Sequence, residues 1–121
     1  MKKLLFLFLF SFSSLFAFEE LSEIDFEEKL ENKNVIIDFY SVYWPACKVL
    51  GRNIKEYSKN KQEDVTIYKV NVGKEMNIAK HFDLLGVPAI AYLKDGKLII
   101  LEYGIKSVEQ LKAYEKEYFS K

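Results

Sequence analysis

The chain has 121 residues, half of them hydrophobic and 16% aromatic, enough for one small domain with a real core and too apolar for a disordered chain. Eighteen Lys and Arg balance eighteen Asp and Glu, so no net field would gather nucleic acid or an anionic membrane. With one cysteine, one histidine and no calcium-type loop of spaced carboxylates, neither an internal disulfide nor a Cys/His zinc site can form, and no metal or cofactor is expected.

Lys2 and Lys3 precede an apolar run from Leu4 to Phe16, which reads as a secretory signal over residues 1–17 with cleavage after Ala17. The run is short of the roughly 20 apolar residues that a spanning helix needs. Leu15 is larger than the residue usually found two places before cleavage, so retention as an anchor stays open beside removal. Export to the periplasm or cell envelope is expected, with no further membrane contact. Residues 18–121 then form a single domain.

Glu20 to Ser22 can add an edge strand. Leu21, Ile24, Phe26 and Leu30, interleaved with acids, predict a helix with a solvated face, capped by Asp25 with Glu28 three residues on and running to Asn32. Val35 to Tyr40 is a near-continuous β-branched and aromatic run, the mark of a strand buried on both faces. Pro45 suits a first helical turn, and Val49, Leu50, Ile54 and Tyr57 keep helical spacing to about Asn60. Val65 to Val72 predicts a strand, and Ile78, Ala79, Phe82 and Leu85 a helix ending near Gly86. Pro88 opens a strand through Leu93, Asp95-Gly96 turns a hairpin, Leu98 to Tyr103 returns, and Ser107 with Gln110 caps a last helix. The predicted architecture is α/β, a mixed central sheet flanked by helices.

From Val35 to Phe119 the sequence resembles the thioredoxin family. Ile37-Asp38-Phe39-Tyr40-Ser41-Val42-Tyr43-Trp44-Pro45-Ala46-Cys47-Lys48 is similar to the family's V-D-F-W-A-x-W-C-G-P-C-K. Tyr68-Lys69-Val70-Asn71 resembles its buried-lysine strand, Gly86-Val87-Pro88-Ala89 its G-I-P-T loop, and Lys94-Asp95-Gly96 its following hairpin. The resemblance implies a thioredoxin fold, a cis proline at Pro88 and an Asp38–Lys69 pair. It departs in three places: Trp44 stands where the first cysteine belongs, Pro45-Ala46 replaces Gly-Pro, and the proline of the long helix is missing near Gly51 and Arg52.

Disulfide exchange needs a thiolate that attacks and a second thiol that resolves the mixed disulfide. Trp44 supplies no nucleophile, and Cys47 matches the family's deeper, resolving cysteine. A full dithiol reductase cycle is therefore not expected. The resemblance leaves monothiol chemistry at Cys47, a mixed disulfide with a protein or small-molecule thiol. Asp38 and Lys69 either move its proton or form a satisfied buried pair. The other reading is a non-catalytic, peptide-binding or chaperone-like module in which Tyr43, Trp44, Pro45, Val87 and Pro88 form a platform for extended peptide segments. His81, between Lys80 and Phe82, is expected to be exposed and to take no catalytic part.

Overall fold

The computed structural model describes residues 18–120. Five strands, β1 (Glu19–Glu20), β2 (Asn34–Tyr40), β3 (Val65–Asn71), β4 (Ala89–Lys94) and β5 (Lys97–Tyr103), form one sheet in the order β1-β3-β2-β4-β5. Four helices accompany them: α1 (Phe26–Leu30), α2 (Pro45–Ser58), α3 (Met76–His81) and α4 (Val108–Phe119). β2 runs parallel to β3 and antiparallel to β4, so the sheet is mixed. The proposed signal segment, residues 1–17, lies outside the described residues.

The apolar run of β2 is buried from Val35 to Phe39 because helices cover both faces of the sheet. Alternation along the strand divides the core in two. Val35, Ile37 and Phe39 pack with Phe26, Ile78 and Phe82 of the α1 and α3 side. Ile36 packs with Leu50, Ile54, Tyr57, Leu111 and Phe119 of α2 and α4. Even-numbered Asp38 therefore shares the α2 side with Ile36. Glu115 of α4 accepts from the Tyr57 hydroxyl at 2.6 Å and from the backbone amide of Gln62 at 2.9 Å, tying the end of α2 to α4.

Two turn motifs form as their sequences predict. Asp95 and Gly96 both take positive φ, 50° and 75°, as a two-residue turn matched to the strand twist requires. Ser107 Oγ accepts from the Gln110 amide at 3.1 Å, while Gln110 Oε1 accepts from the Ser107 amide at 2.9 Å, a complete capping box.

Four expectations need correction. The predicted first helix contracts to Phe26–Leu30, and Ile24 is 96% exposed instead of facing the core. Asp25 does not cap it through its side chain, since its carboxylate is held by the Ser22 hydroxyl at 3.0 Å and by Lys29 at 3.3 Å. The third helix ends at His81, not near Gly86. There Asp83 takes a left-handed φ of 52°, and the amides of Asp83 and Leu84 turn back to the carbonyls of Lys80 and Ala79, a Schellman closure that leaves Leu85 exposed. The edge strand lies at Glu19–Glu20, beginning one residue before and ending two residues before the predicted Glu20 to Ser22, and pairs with Tyr68 and Lys69.

Candidate functional site

Pro45 occupies the first turn of α2, where its missing amide hydrogen leaves no bond unmade, and Trp44 is the preceding cap residue in extended conformation. This places Cys47 in the first turn, its amide donating to the Trp44 carbonyl at 3.0 Å. Trp44 precedes the helix in extended conformation while Cys47 lies within it, and their exposures differ: Cys47 is 4% exposed, whereas Trp44 is 59% and Tyr43 88% exposed. The thiol faces inward and the aromatic rings face solvent.

The Val87–Pro88 peptide bond is cis. Phe39 of β2 is paired with Ala89 of β4, so Pro88 stands at the end of the sheet from which the loop to Trp44 departs. The Pro88 carbonyl accepts from the Gly104 amide at 3.0 Å, while Val87 enters no backbone–backbone bond among the described residues.

Asp38 and Lys69 are register partners on β2 and β3. They are neighbours, yet no ion pair joins them among the described residues. The satisfied buried pair is therefore corrected: the Lys69 ammonium sits over the Tyr40 ring, 4.4 Å from its centroid, and the fully buried Oδ1 of Asp38 has no hydrogen-bond partner. Burial disfavours the charged carboxylate and pushes its pKa up to about 6, with Lys69 pulling it down and Glu20 adding to the rise. Tyr40 is raised as well, chiefly by burial, and its hydroxyl donates to Glu20 at 2.7 Å.

Cys47 does meet open space in one direction. A cleft of about 370 Å³ reaches it between α2, the end of β2 at Tyr40 with the Ser41-Val42 loop, and Lys69 of β3, and Lys48, Arg52, Lys55 and Lys69 stand around that cleft. These cations, apart from Lys69, are absent from the sequence-based site. Their signal was legible: positions 48, 52 and 55 follow the i, i+4, i+7 spacing of one helix face. His81 is exposed, with its ring edge-on to Phe26 and Phe82 at 5.1 and 4.9 Å, a packing contact far from any general-base geometry. Among the described residues no group of three or more His, Cys, Asp or Glu is placed to hold a metal ion.

The family model described as Thioredoxin matches residues 17–117. A thioredoxin of Mycoplasmoides gallisepticum is 31% identical over 81 residues, covering 67% of this chain and 80% of that protein. A mitochondrial thioredoxin of Bos taurus is 26% identical over 95 residues, covering 77% of this chain, and the chain spans only 57% of that relative. Among solved structures, one on the thiol-resolving mechanism of a yeast mitochondrial 1-Cys peroxiredoxin via glutathione and thioredoxin systems contains a similar chain. Its TM-score is 0.76 at 23% identity, covering 84% of this chain and 95% of that one, which shows a shared fold.

Proposed function

The chain belongs to the thioredoxin family, and from that membership we propose that it is a thiol redox protein restricted to monothiol chemistry at Cys47. The observation that carries this reading is a single thiol in the first turn of α2, buried on the platform side yet open to a cleft. In the exchange, the Cys47 thiolate attacks one sulfur of a partner disulfide, a Cys47–partner disulfide forms, and the other half leaves as a thiolate. The proton that Cys47 gives up ends on that leaving thiol. An external thiol then resolves the adduct. Asp38, raised to about 6 and without a partner at Oδ1, has the character of a group that can take up and return a proton near neutral pH. Repeated insulin reduction by the unaltered protein would contradict this restriction. Alkylation trapping followed by non-reducing gels should show Cys47 adducts that disappear in Cys47→Ser, and their absence under every redox condition would end the reading.

A second reading, a peptide-binding or chaperone-like module, is favoured by a different observation. Tyr43 and Trp44 present exposed aromatic surface at the sheet end where Val87 leaves backbone groups uncommitted. An extended peptide could pair with Val87 while Trp44 contacts its side chains. Binding that survives Cys47→Ser and is lost in Trp44→Ala supports this module; binding that survives Trp44→Ala removes it. Under either reading we place the protein in the periplasm or cell envelope on the strength of residues 1–17, to be checked by cell fractionation and by N-terminal sequencing for a chain starting at Phe18.

A further inference from the structure

The cleft beside Cys47 has a charge pattern that thiol chemistry alone does not require. The chain as a whole has no net charge, yet four cations and no carboxylate line this one cavity. Lys48, Arg52 and Lys55 project from one face of α2, Lys69 approaches from β3, and none of the four forms a salt bridge among the described residues. What sets the cleft apart is that four cations converge on one cavity, since lone unpaired lysines such as Lys33, Lys74 and Lys97 also occur elsewhere among the described residues. Clustered like charges repel one another, and a bound anion relieves that repulsion.

Gly51 points the same way. A glycine inside a helix costs about 1 kcal/mol relative to alanine. No positive φ demands it here, and a Cβ at this position would meet nothing within 4 Å. Packing therefore does not require glycine at this point of α2. Its missing side chain widens the cleft between Lys48 and Arg52. At about 370 Å³ the cavity falls in the range of small-molecule sites, roughly 300–1,000 Å³.

We propose that this cleft binds a small organic anion carrying two or more carboxylate or phosphate groups. Resting on the monothiol reading, it thereby selects anionic low-molecular-weight disulfides as the exchange partners of Cys47. The exchange is the one already balanced: one S–S bond breaks, one Cys47–S bond forms, the leaving half takes the proton, and no outside oxidant is consumed.

Two measurements test the two parts separately. Citrate is titrated into the reduced, isotope-labelled protein and backbone amide shifts are followed. Saturable shifts centred on residues 48–55 and on Lys69, abolished in Arg52→Glu/Lys55→Glu and in Gly51→Glu, support the site. Shifts scattered over all surface lysines, or unchanged in both variants, overturn it, as does binding of an acidic peptide where citrate fails. Gly51→Glu adds a good helix former into open space, so retained folding is expected and circular dichroism checks it.

The second measurement compares the rates at which Cys47 reacts with dicarboxylate 5,5′-dithiobis(2-nitrobenzoate) and uncharged 2,2′-dithiodipyridine. Their ratio should fall about tenfold or more in the charge-reversal variants and with rising salt, as expected for a focused field. An unchanged ratio removes the selection while leaving monothiol chemistry standing. Citrate binding with no reaction at Cys47 by either disulfide leaves the anion site standing and removes the monothiol reading.

Discussion

Replacing Asp38 with Asn should change not only the stability of this protein but how that stability varies with pH. Asp38 is 1% exposed, and burial raises its pKa from an ordinary 3.8 to about 6. Below the lower value the carboxyl is protonated in both folded and unfolded chains, so no penalty exists. Between the two values the unfolded chain has lost its proton while the folded chain still holds it, and folding becomes less favourable as pH rises. Above about 6 both are ionised and the loss is constant. At 1.36 kcal/mol per pKa unit the loss amounts to about 3 kcal/mol, a large part of the stability of an ordinary small domain. Urea unfolding of the unaltered protein and of Asp38→Asn is measured from pH 4 to pH 8. The variant carries a fixed offset from its own unsatisfied amide, so the informative quantity is the gap between the two proteins. That gap should move by about 2 kcal/mol in favour of Asn between pH 4 and pH 7, the rest of the loss being present already at pH 4, just above the ordinary 3.8. A gap that stays flat, or that moves toward the aspartate, would refute a carboxylate buried without a partner.

Removing the nearby positive charge by Lys69→Met should raise the Asp38 pKa further, since Lys69 is what holds it down, and should shift the end of the pH-dependent loss above pH 6 in the same urea series. Trp44→Cys places a second thiol at the mouth of α2 and should reduce insulin faster than the unaltered protein, read as turbidity over time. Trp44→Ala, at an exposed position with no cap bond, should change stability by less than about 0.5 kcal/mol while weakening peptide binding, so a large loss on thermal unfolding would mean that the ring is structural. Ser107→Ala removes the capping box of α4 and should cost about 1 kcal/mol, with Cys47 labelling by iodoacetamide in the folded protein unaffected.

Local chemistry made much of this fold readable in advance. β2 was legible because five consecutive apolar or aromatic side chains around one acid leave a strand no solvated face, and Asp95-Gly96 because only a tight turn uses two successive left-handed residues. The helix start at Pro45 was legible from the proline itself, with Trp44 before it exposed and Cys47 within it buried. The errors fell where backbone closure competes with apolar spacing. Leu85 continues the period of α3, but the left-handed turn at Asp83 ends that helix first. Asp25 stands at a cap position, but Ser22 and Lys29 claim its carboxylate.

The sequence by itself determined that the chain has a single cysteine, Cys47, three residues after Trp44, and that an acid was set into the middle of an apolar strand. These are properties of residue identity and spacing, which survive in the unfolded chain. The relation between those residues was decided only by the tertiary structure. Strand register made Asp38 and Lys69 neighbours, but the path of the lysine side chain over the Tyr40 ring kept them from closing an ion pair. The packing of α2 against the sheet turned Cys47 inward and left a cation-lined cleft as its opening. Such outcomes depend on which face each element buries and on where long side chains find a partner, distances between positions remote in sequence that spacing along the chain does not encode.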